Sequence, residues 1–320
     1  MIDVIIPAFN AYETIDKTLA SIAFQDCVDK LNVYIVDDCS KKNYSDFVKF
    51  YSNFMNIVEI KTDVNGGPGK ARQLGIDSSK SEFLIFIDSD DVFSDNFAIS
   101  RLFNAIVETN SDIAVSGFYE EKKFGFIFYD VSYVWMHGKI YRREFFNKNK
   151  IYFNDSRANE DCGFNHLCYL CGASYVEVEG VSYIWRNNQQ SITRLNNGET
   201  FRKNIKSFTY NMMWALSESR KRNFNKERFQ DIAYGTFVSC YHYFLQDQES
   251  FIKNNVFEQI CLLYDYIDLT KIDEERRTFI IKNQLMSEVS GPELYKVYNP
   301  SLTLNDFFEI IKNKREGYND

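Results

Sequence analysis

One stretch of the chain constrains its fold more than any other: five apolar residues, Phe83-Leu84-Ile85-Phe86-Ile87, run directly into Asp88-Ser89-Asp90-Asp91. A strand apolar at every position has no wet face, which implies a parallel sheet covered by helices on both sides. The pattern recurs upstream. Val4-Ile5-Ile6 ends at Pro7, Val33-Tyr34-Ile35-Val36 ends at Asp37-Asp38, and Val58-Glu59-Ile60 is a third candidate. Helix-period segments separate these runs: Ile15, Leu19 and Ile22, then a polar stretch around Phe47 and Phe50, then Ala71, Leu74 and Ile76 after the break at Gly66-Gly67-Pro68-Gly69. Leu102, Phe103, Ile106 and Val107 precede another strand, Ile113-Ala114-Val115. Alternating elements of this kind give an α/β fold with a mostly parallel central sheet and flanking helices.

The pattern changes after residue 116. Gly117 to Val134 carries Phe124, Phe126 and Phe128 in alternation and reads as a hairpin or an irregular excursion. Arg157 to Gly172 reads as a helix with Phe164, Leu167, Cys168 and Cys171 on one face. Strands are expected at 175–178 and 181–185. Beyond about residue 200 strand signals stop, and apolar stripes such as Phe208, Met212 and Leu216 call for a helical bundle. At about 150 residues per domain, 320 residues then divide into an α/β domain over 1–199 and a helical domain over 200–320.

Composition excludes several classes. With 45% hydrophobic and 17% aromatic residues the chain has ample material for a core and is not disordered. A net charge of −8 argues against holding nucleic acid by bulk charge. Seven Cys in apolar surroundings read as reduced, buried thiols, and Cys168-x-x-Cys171 lacks the second pair that a zinc site needs. The N-terminus lacks the basic and apolar regions of a signal peptide, and no apolar run approaches a membrane span. A cytoplasmic location is expected, with peripheral contact at the inner face of the membrane left open.

Three strand ends are polar: Pro7-Ala8-Phe9-Asn10, Asp37-Asp38-Cys39-Ser40 and Asp88-Ser89-Asp90-Asp91. Ligands of open α/β sheets bind outside the carboxyl ends of the strands. Helix capping explains one Asp per turn. It leaves Asp88, Asp90 and Asp91 together unexplained, whereas a hard divalent cation with phosphate oxygens completing its shell accounts for them. The Gly66–Lys70 stretch is no phosphate loop, because Val64 and Ala71 stand where that motif needs Gly and Ser or Thr.

The ordered set resembles a family 2 glycosyltransferase of the GT-A fold. VIIPAFNAYETIDKTLASI resembles its opening strand and helix, VDDCS its base-recognition turn, and NGGPGKARQLGI its nucleotide-side helix. IDSDD resembles its metal-binding Asp-x-Asp turn and NEDCGFN, at 159–165, the Glu-Asp pair near its acceptor site. WMHGKIYRR, at 135–143, resembles the segment leading to the acceptor side, and WRNNQQSITR a loop closing over the diphosphate. Cys39 departs from the pattern, since relatives often carry Gly there. The processive-synthase signature of membrane spans with Gln-x-x-Arg-Trp is absent.

The resemblance implies an inverting transfer from a nucleotide-sugar, with UDP-sugar favoured and Mn²⁺ or Mg²⁺ as cofactor. Pro7, Ala8 and Phe9 would line base and ribose, Asp38 would accept from the uracil imide, and Asp37 would support that turn. Gly67 and Arg72 would lie on the donor side, Arg72 near uracil or diphosphate. Asp88 and Ser89 would face the sugar or ribose. Asp90, with Asp88, would bind the metal, and His137 is a further candidate ligand. Arg186, Ser191 and Arg194 would close over the diphosphate. Asp161 would be the general base, and Glu160 would position it or the acceptor. Considered alone, Glu160 and Asp161 read better as first-turn acids favoured by a helix dipole; their place about 70 residues after the Asp-x-Asp turn favours catalysis.

The expected acceptor is a glycan, a lipid-linked sugar or a polyol-phosphate. An alternative is a phage-type enzyme acting on hydroxymethylated DNA bases, motivated by basic clusters at Arg202–Lys206, Arg220–Arg222, Arg276-Arg277 and Lys312–Arg315. A second alternative is a catalytically silent nucleotide-binding scaffold. The helical half offers a surface for homo-oligomerisation.

Overall fold

The computed structural model describes residues 1–188, 205–253, 255–288 and 302–317. Nine strands form one sheet: β1 (Ile2–Ala8), β2 (Leu31–Asp37), β3 (Asn56–Lys61), β4 (Phe83–Phe86), β5 (Val92–Phe93), β6 (Ile113–Lys122), β7 (Gly125–Tyr129), β8 (Lys139–Arg142) and β9 (Tyr175–Trp185). Their order is β3-β2-β1-β4-β8-β6-β9-β5, and β7 pairs with β6 outside that path. The helices are α1 (Ile15–Ala23), α2 (Ser45–Tyr51), α3 (Pro68–Ser78), α4 (Ala98–Glu108), α5 (Arg143–Asn149) and α6 (Glu160–Leu170). There follow α7 (Ile205–Arg220), α8 (Lys226–Gln246), α9 (Gln248–Lys253), α10 (Val256–Tyr264), α11 (Glu274–Glu288) and α12 (Leu304–Gly317).

The α/β reading holds, but the sheet is mixed. Parallel pairing covers β3-β2-β1-β4 and β6-β9. Between those blocks β8 runs antiparallel to both β4 and β6. Its sequence, Lys-Ile-Tyr-Arg, hid it, because charged ends seldom mark a central strand. Here both charges are used. The Lys139 ammonium donates to the Trp135 carbonyl, and Arg142 donates to the Ser111 and Ile106 carbonyls and to Glu82. The two strands expected over 175–185 are one, which shifts register opposite Gly117.

Every residue of β1 is buried, and its alternating side chains feed two cores. Ile2, Val4 and Ile6 join Leu19, Ile22, Leu102 and Ile106 from α1 and α4. Ile5, with Leu84 and Phe86 of β4, joins α3 and α6 on the other face. That second core continues through Phe164 and Leu167 into Leu216 of α7, Phe237 of α8, Ile260 of α10 and Phe307 of α12. Apolar packing is therefore continuous between the α/β part and the helical part. Phe153 and Phe164 stack at 3.9 Å, and both meet the Phe86 ring edge-on, which fixes α6 against the end of β4.

Candidate active site

The ends of β1 and β2 are tied by the main chain, where the Asp38 N–H donates to the Ala8 carbonyl at 2.8 Å. Pro7 and Ala8 are buried there, and Phe9 is exposed just beyond them. Asp37 is fully buried. Its Oδ1 accepts from the Ser40 N–H at 2.7 Å, and its Oδ2 lies 3.1 Å from the Lys61 ammonium. Cys39 sits at φ 64°, so the thiol residue takes the left-handed turn that glycine would adopt without strain.

Asp38 grips the loop before α3. Its Oδ1 accepts from the Gly66 N–H and its Oδ2 from the Gly67 N–H, each at 2.7 Å, and Thr62 Oγ1 lies 3.3 Å from Oδ1. A carboxylate shared by two main-chain donors is a strong, charge-assisted anchor. Gly67 has φ 89°, and Pro68 then opens α3 in its first turn. Gly69 allows close approach of two helices: a Cβ there would lie 2.8 Å from Glu160 Cγ.

Arg72, one turn into α3, is buried and joins two parts of the site. Its Nη2 lies 2.6 Å from Asp88 Oδ1 and its Nη1 2.6 Å from Glu160 Oε1. Burial opposes the guanidinium charge, but the Asp88 and Glu160 carboxylates outweigh it and hold the pKa above its ordinary value. Arg72 thus bridges the turn after β4 and the start of α6.

In that turn the acids take different partners. Asp90 Oδ2 accepts from Asn188 Nδ2 at 2.8 Å. Asp91 is buried and pins the end of β9, accepting from Tyr183 Oη at 2.6 Å and from the Arg186 N–H at 2.7 Å. Burial, reinforced by Asp90 and Asp88, pushes its pKa well above the usual carboxylate range. Ser89 lies half-buried between them. Asp88, Asp91 and His137 place one donor atom each within 4.8 Å of one another. His137 is held flat against Tyr183, with ring centroids 4.6 Å apart. Two carboxylates and an imidazole at this spacing fit a divalent cation, which would also relieve the repulsion among the acids. Asp90, the expected ligand beside Asp88, is not one of these three, and its carboxylate meets Asn188 instead.

Asp161 follows Glu160 at the start of α6, where Asn159 turns the chain with φ 57°. Glu160 is buried and Asp161 half-buried. Burial, then the neighbouring Glu160 charge, pushes the Asp161 pKa up to about 7 against the opposing pull of Arg72. Its Oδ1 accepts from the Cys162 N–H at 2.8 Å. A carboxyl group poised near neutrality suits proton abstraction.

Several supporting residues carry no sequence signal. Asn165 accepts from Tyr141 Oη at 2.9 Å and donates to the Val134 carbonyl at 2.8 Å, locking α6 to β8. Asn211, on α7, accepts from Asn154 and donates to Ser156 Oγ and the Ala158 carbonyl. The helical region thus holds the segment that leads into α6. Buried Asn side chains look like ordinary polar residues in sequence; only their partners, 24 and 57 positions away, reveal them.

Arg186 follows the end of β9 with its Nε 3.6 Å from Glu121, while Ser191 and Arg194 fall outside the described residues. Among the basic clusters, Arg222 pairs with Glu218, Arg276 with Asp231 and Arg315 with Asp265, so these cations are engaged by the protein's own acids. No helix of the described residues is long and apolar enough to cross a membrane.

A sheet with acids gathered at the carboxyl ends of its strands, one of them bridged by Arg72 to Glu160, has the fold of the GT-A glycosyltransferases. Residues 3–161 match the profile of glycosyl transferase family 2, and the chain belongs to that family. It is similar to the glycosyltransferase GlyG of Streptococcus pneumoniae, at 23% identity over 61% of this chain and 73% of the relative. It is also similar to the poly(ribitol-phosphate) beta-N-acetylglucosaminyltransferase TarS of Staphylococcus aureus, at 38% identity over 90 residues, 28% of this chain and only 16% of that relative. The crystal structure of S. aureus TarS 1–349 with UDP-GlcNAc superposes with a TM-score of 0.68 at 18% identity, over 99% of this chain and 92% of that one. A mannosyltransferase from Pyrobaculum calidifontis in complex with GDP-Man and Mn²⁺ gives 0.55 at 12% identity, over 100% and 88%.

Proposed function

We propose that the enzyme moves a sugar from a UDP-sugar to a hydroxyl of a polyol-phosphate or related glycan or lipid-linked acceptor, with inversion at the anomeric carbon. The observation that carries this reading is Arg72, which sets the Asp88 turn and the Glu160-Asp161 pair on one guanidinium. The names of TarS relatives support the donor and the acceptor class.

In this reading the loop held by Asp38, with Pro7, Ala8 and Phe9, receives the nucleoside. Asp88 orients the sugar, with Arg72 fixing its carboxylate. Asp161 takes the proton of the acceptor hydroxyl while that oxygen forms its bond to the anomeric carbon. The bond from that carbon to the diphosphate oxygen breaks on the opposite face, and UDP leaves with the electron pair. Glu160 is not a second base, because its carboxylate is committed to Arg72; it sets where Asp161 stands. Asp88, Asp91 and His137 would hold a divalent cation. When bound, such an ion supplies charge neutralisation to a diphosphate.

The test is UDP release from a panel of UDP-sugars with Mn²⁺, in the presence and absence of poly(ribitol-phosphate). Acceptor-stimulated release that disappears in Asp161→Asn, with UDP binding retained, is the expected result. Wild-type-like transfer by Asp161→Asn would remove the base assignment, and release from GDP-sugars alone would remove the donor assignment.

A further inference from the structure

The hairpin of β6 and β7 presents apolar side chains with no cover among the described residues. Phe124 at its tip is 90% exposed, and Phe126, Ile127 and Phe128 of β7 are 57%, 43% and 56% exposed. Register pairs Tyr119 with Phe128 and Glu121 with Phe126. Tyr119 meets the Phe126 and Phe128 rings at 5.9 and 6.0 Å, so those three share one face, and Ile127 points to the other.

β7 is also an edge strand. It pairs with β6, and its other side meets no strand among the described residues. Edge strands of soluble proteins are ordinarily blunted by Lys, Pro or a bulge. Gly125-Phe126-Ile127-Phe128-Tyr129 contains neither Lys nor Pro, and its pairing with β6 runs without a register shift. A strand edge that meets no further strand among the described residues, flanked by the Phe126 and Phe128 rings, is a template for another strand.

We infer that β7 is a homodimer contact, in which the β7 edges of two copies of this chain pair antiparallel about a two-fold axis at Ile127. That register places Phe126 of each copy opposite Phe128 of the other. It also brings the Lys123-Phe124 end of one strand to Asp130 at the end of the other, so the ends are complementary in charge. A two-fold pairing uses one patch twice, as isologous dimers require. Charge disfavours an anionic membrane as the occupant: Glu120, Glu121 and Asp130 outnumber Lys122 and Lys123, and the whole chain carries −8. Half-exposed aromatic rings contribute on the order of 100 Å² each, so the contact falls in the small class and the dimer should dissociate on dilution.

Cysteine crosslinking of the full chain reads the register directly. Directly opposed residues of an antiparallel pair have Cα atoms about 4.5–5.5 Å apart, within disulfide reach. Ile127→Cys should therefore form a covalent dimer under mild oxidation. Phe124→Cys, which would face Asp130, should crosslink far more slowly, as should the wild type, whose cysteines are buried apart from the half-buried Cys39. By sedimentation the wild type should show a concentration-dependent dimer, and Ile127→Lys a monomer with unchanged melting temperature and unchanged UDP release. A wild type that stays monomeric at every concentration, a dimer that survives Ile127→Lys, or equal crosslinking of the two cysteine variants would each overturn the inference. Capture of a monomeric wild type by anionic phospholipid vesicles, lost in Phe124→Ser, would also overturn it and assign the hairpin to a membrane surface.

Discussion

Arg72 Nη1 lies 2.6 Å from Glu160 Oε1, joining residues 88 positions apart in sequence. Both side chains are buried, and the same guanidinium reaches Asp88 through its other terminal nitrogen. Removing one member of a buried charged cluster leaves the others desolvated and uncompensated, at a cost of about 3–5 kcal/mol. Arg72→Met should lower the melting temperature steeply and abolish turnover. Arg72→Lys places a point charge where a fork spans two carboxylates, so turnover should fall by about 10²-fold while much of the fold survives. Arg72→Met combined with Glu160→Gln should recover part of the lost stability and none of the turnover. Recovery of turnover in the double variant would mean that the bridge does not align the site.

The Asp161 pKa sets a pH dependence. As the proposed base it acts in the ionised form, so kcat/KM should fall with a slope of one as pH drops below about 7. The sign for stability is the reverse. The folded chain holds this proton up to about pH 7, whereas the unfolded chain releases it near the ordinary carboxylate value of about 4. Asp161 therefore withdraws stability as pH climbs between those values. Asp161→Asn should melt higher than the wild type at pH 8 and nearly equal to it at pH 4. A wild-type profile flat from pH 6 to 8 would contradict the assignment.

The trio of Asp88, Asp91 and His137 predicts a specific metal response. His137→Gln should raise the Mn²⁺ concentration needed for half-maximal UDP release by about 10–100-fold, the range typical when a metal site loses support. Saturating Mn²⁺ should restore most of the rate, and chelation should silence both proteins. An unchanged Mn²⁺ requirement in His137→Gln would leave the imidazole as a packing group against Tyr183.

The turn after β4 was legible because its signal is local in sequence. The apolar run 83–87 announced its strand, and the acids after it sit where they were expected, at its carboxyl end. Which acid joins the trio was not legible, because that choice depends on His137, brought in by a strand too short and too charged to recognise. The partners of Arg72 were hidden for a similar reason. A helix arginine in sequence looks solvated, and its burial follows from Gly69 letting α6 approach. The helical region was legible as helices but not as support for the site, since a buried Asn gives no periodic signal.

That support yields the last prediction. Asn211 of α7 accepts from Asn154 Nδ2 at 2.8 Å and donates to Ser156 Oγ and the Ala158 carbonyl, each at 2.9 Å. These bonds fix the residues just before Asn159, whose left-handed turn starts α6 and so places Asp161. Asn211→Ala strands the Asn154 amide in a buried setting, at a cost of about 1–3 kcal/mol. It also frees the entry to α6, and a displacement of about 1 Å at a reacting group can cost 10²-fold in rate. The loop proposed to receive the nucleoside is held separately, by Asp38 on the Gly66 and Gly67 amides. Asn211→Ala should therefore reduce kcat strongly while leaving UDP affinity unchanged. Asn211→Asp keeps the acceptor for Asn154 but sets an oxygen against the Ala158 carbonyl, and it should be as slow as the alanine variant. A fall in melting temperature with kcat intact would confine Asn211 to holding the helices on the sheet.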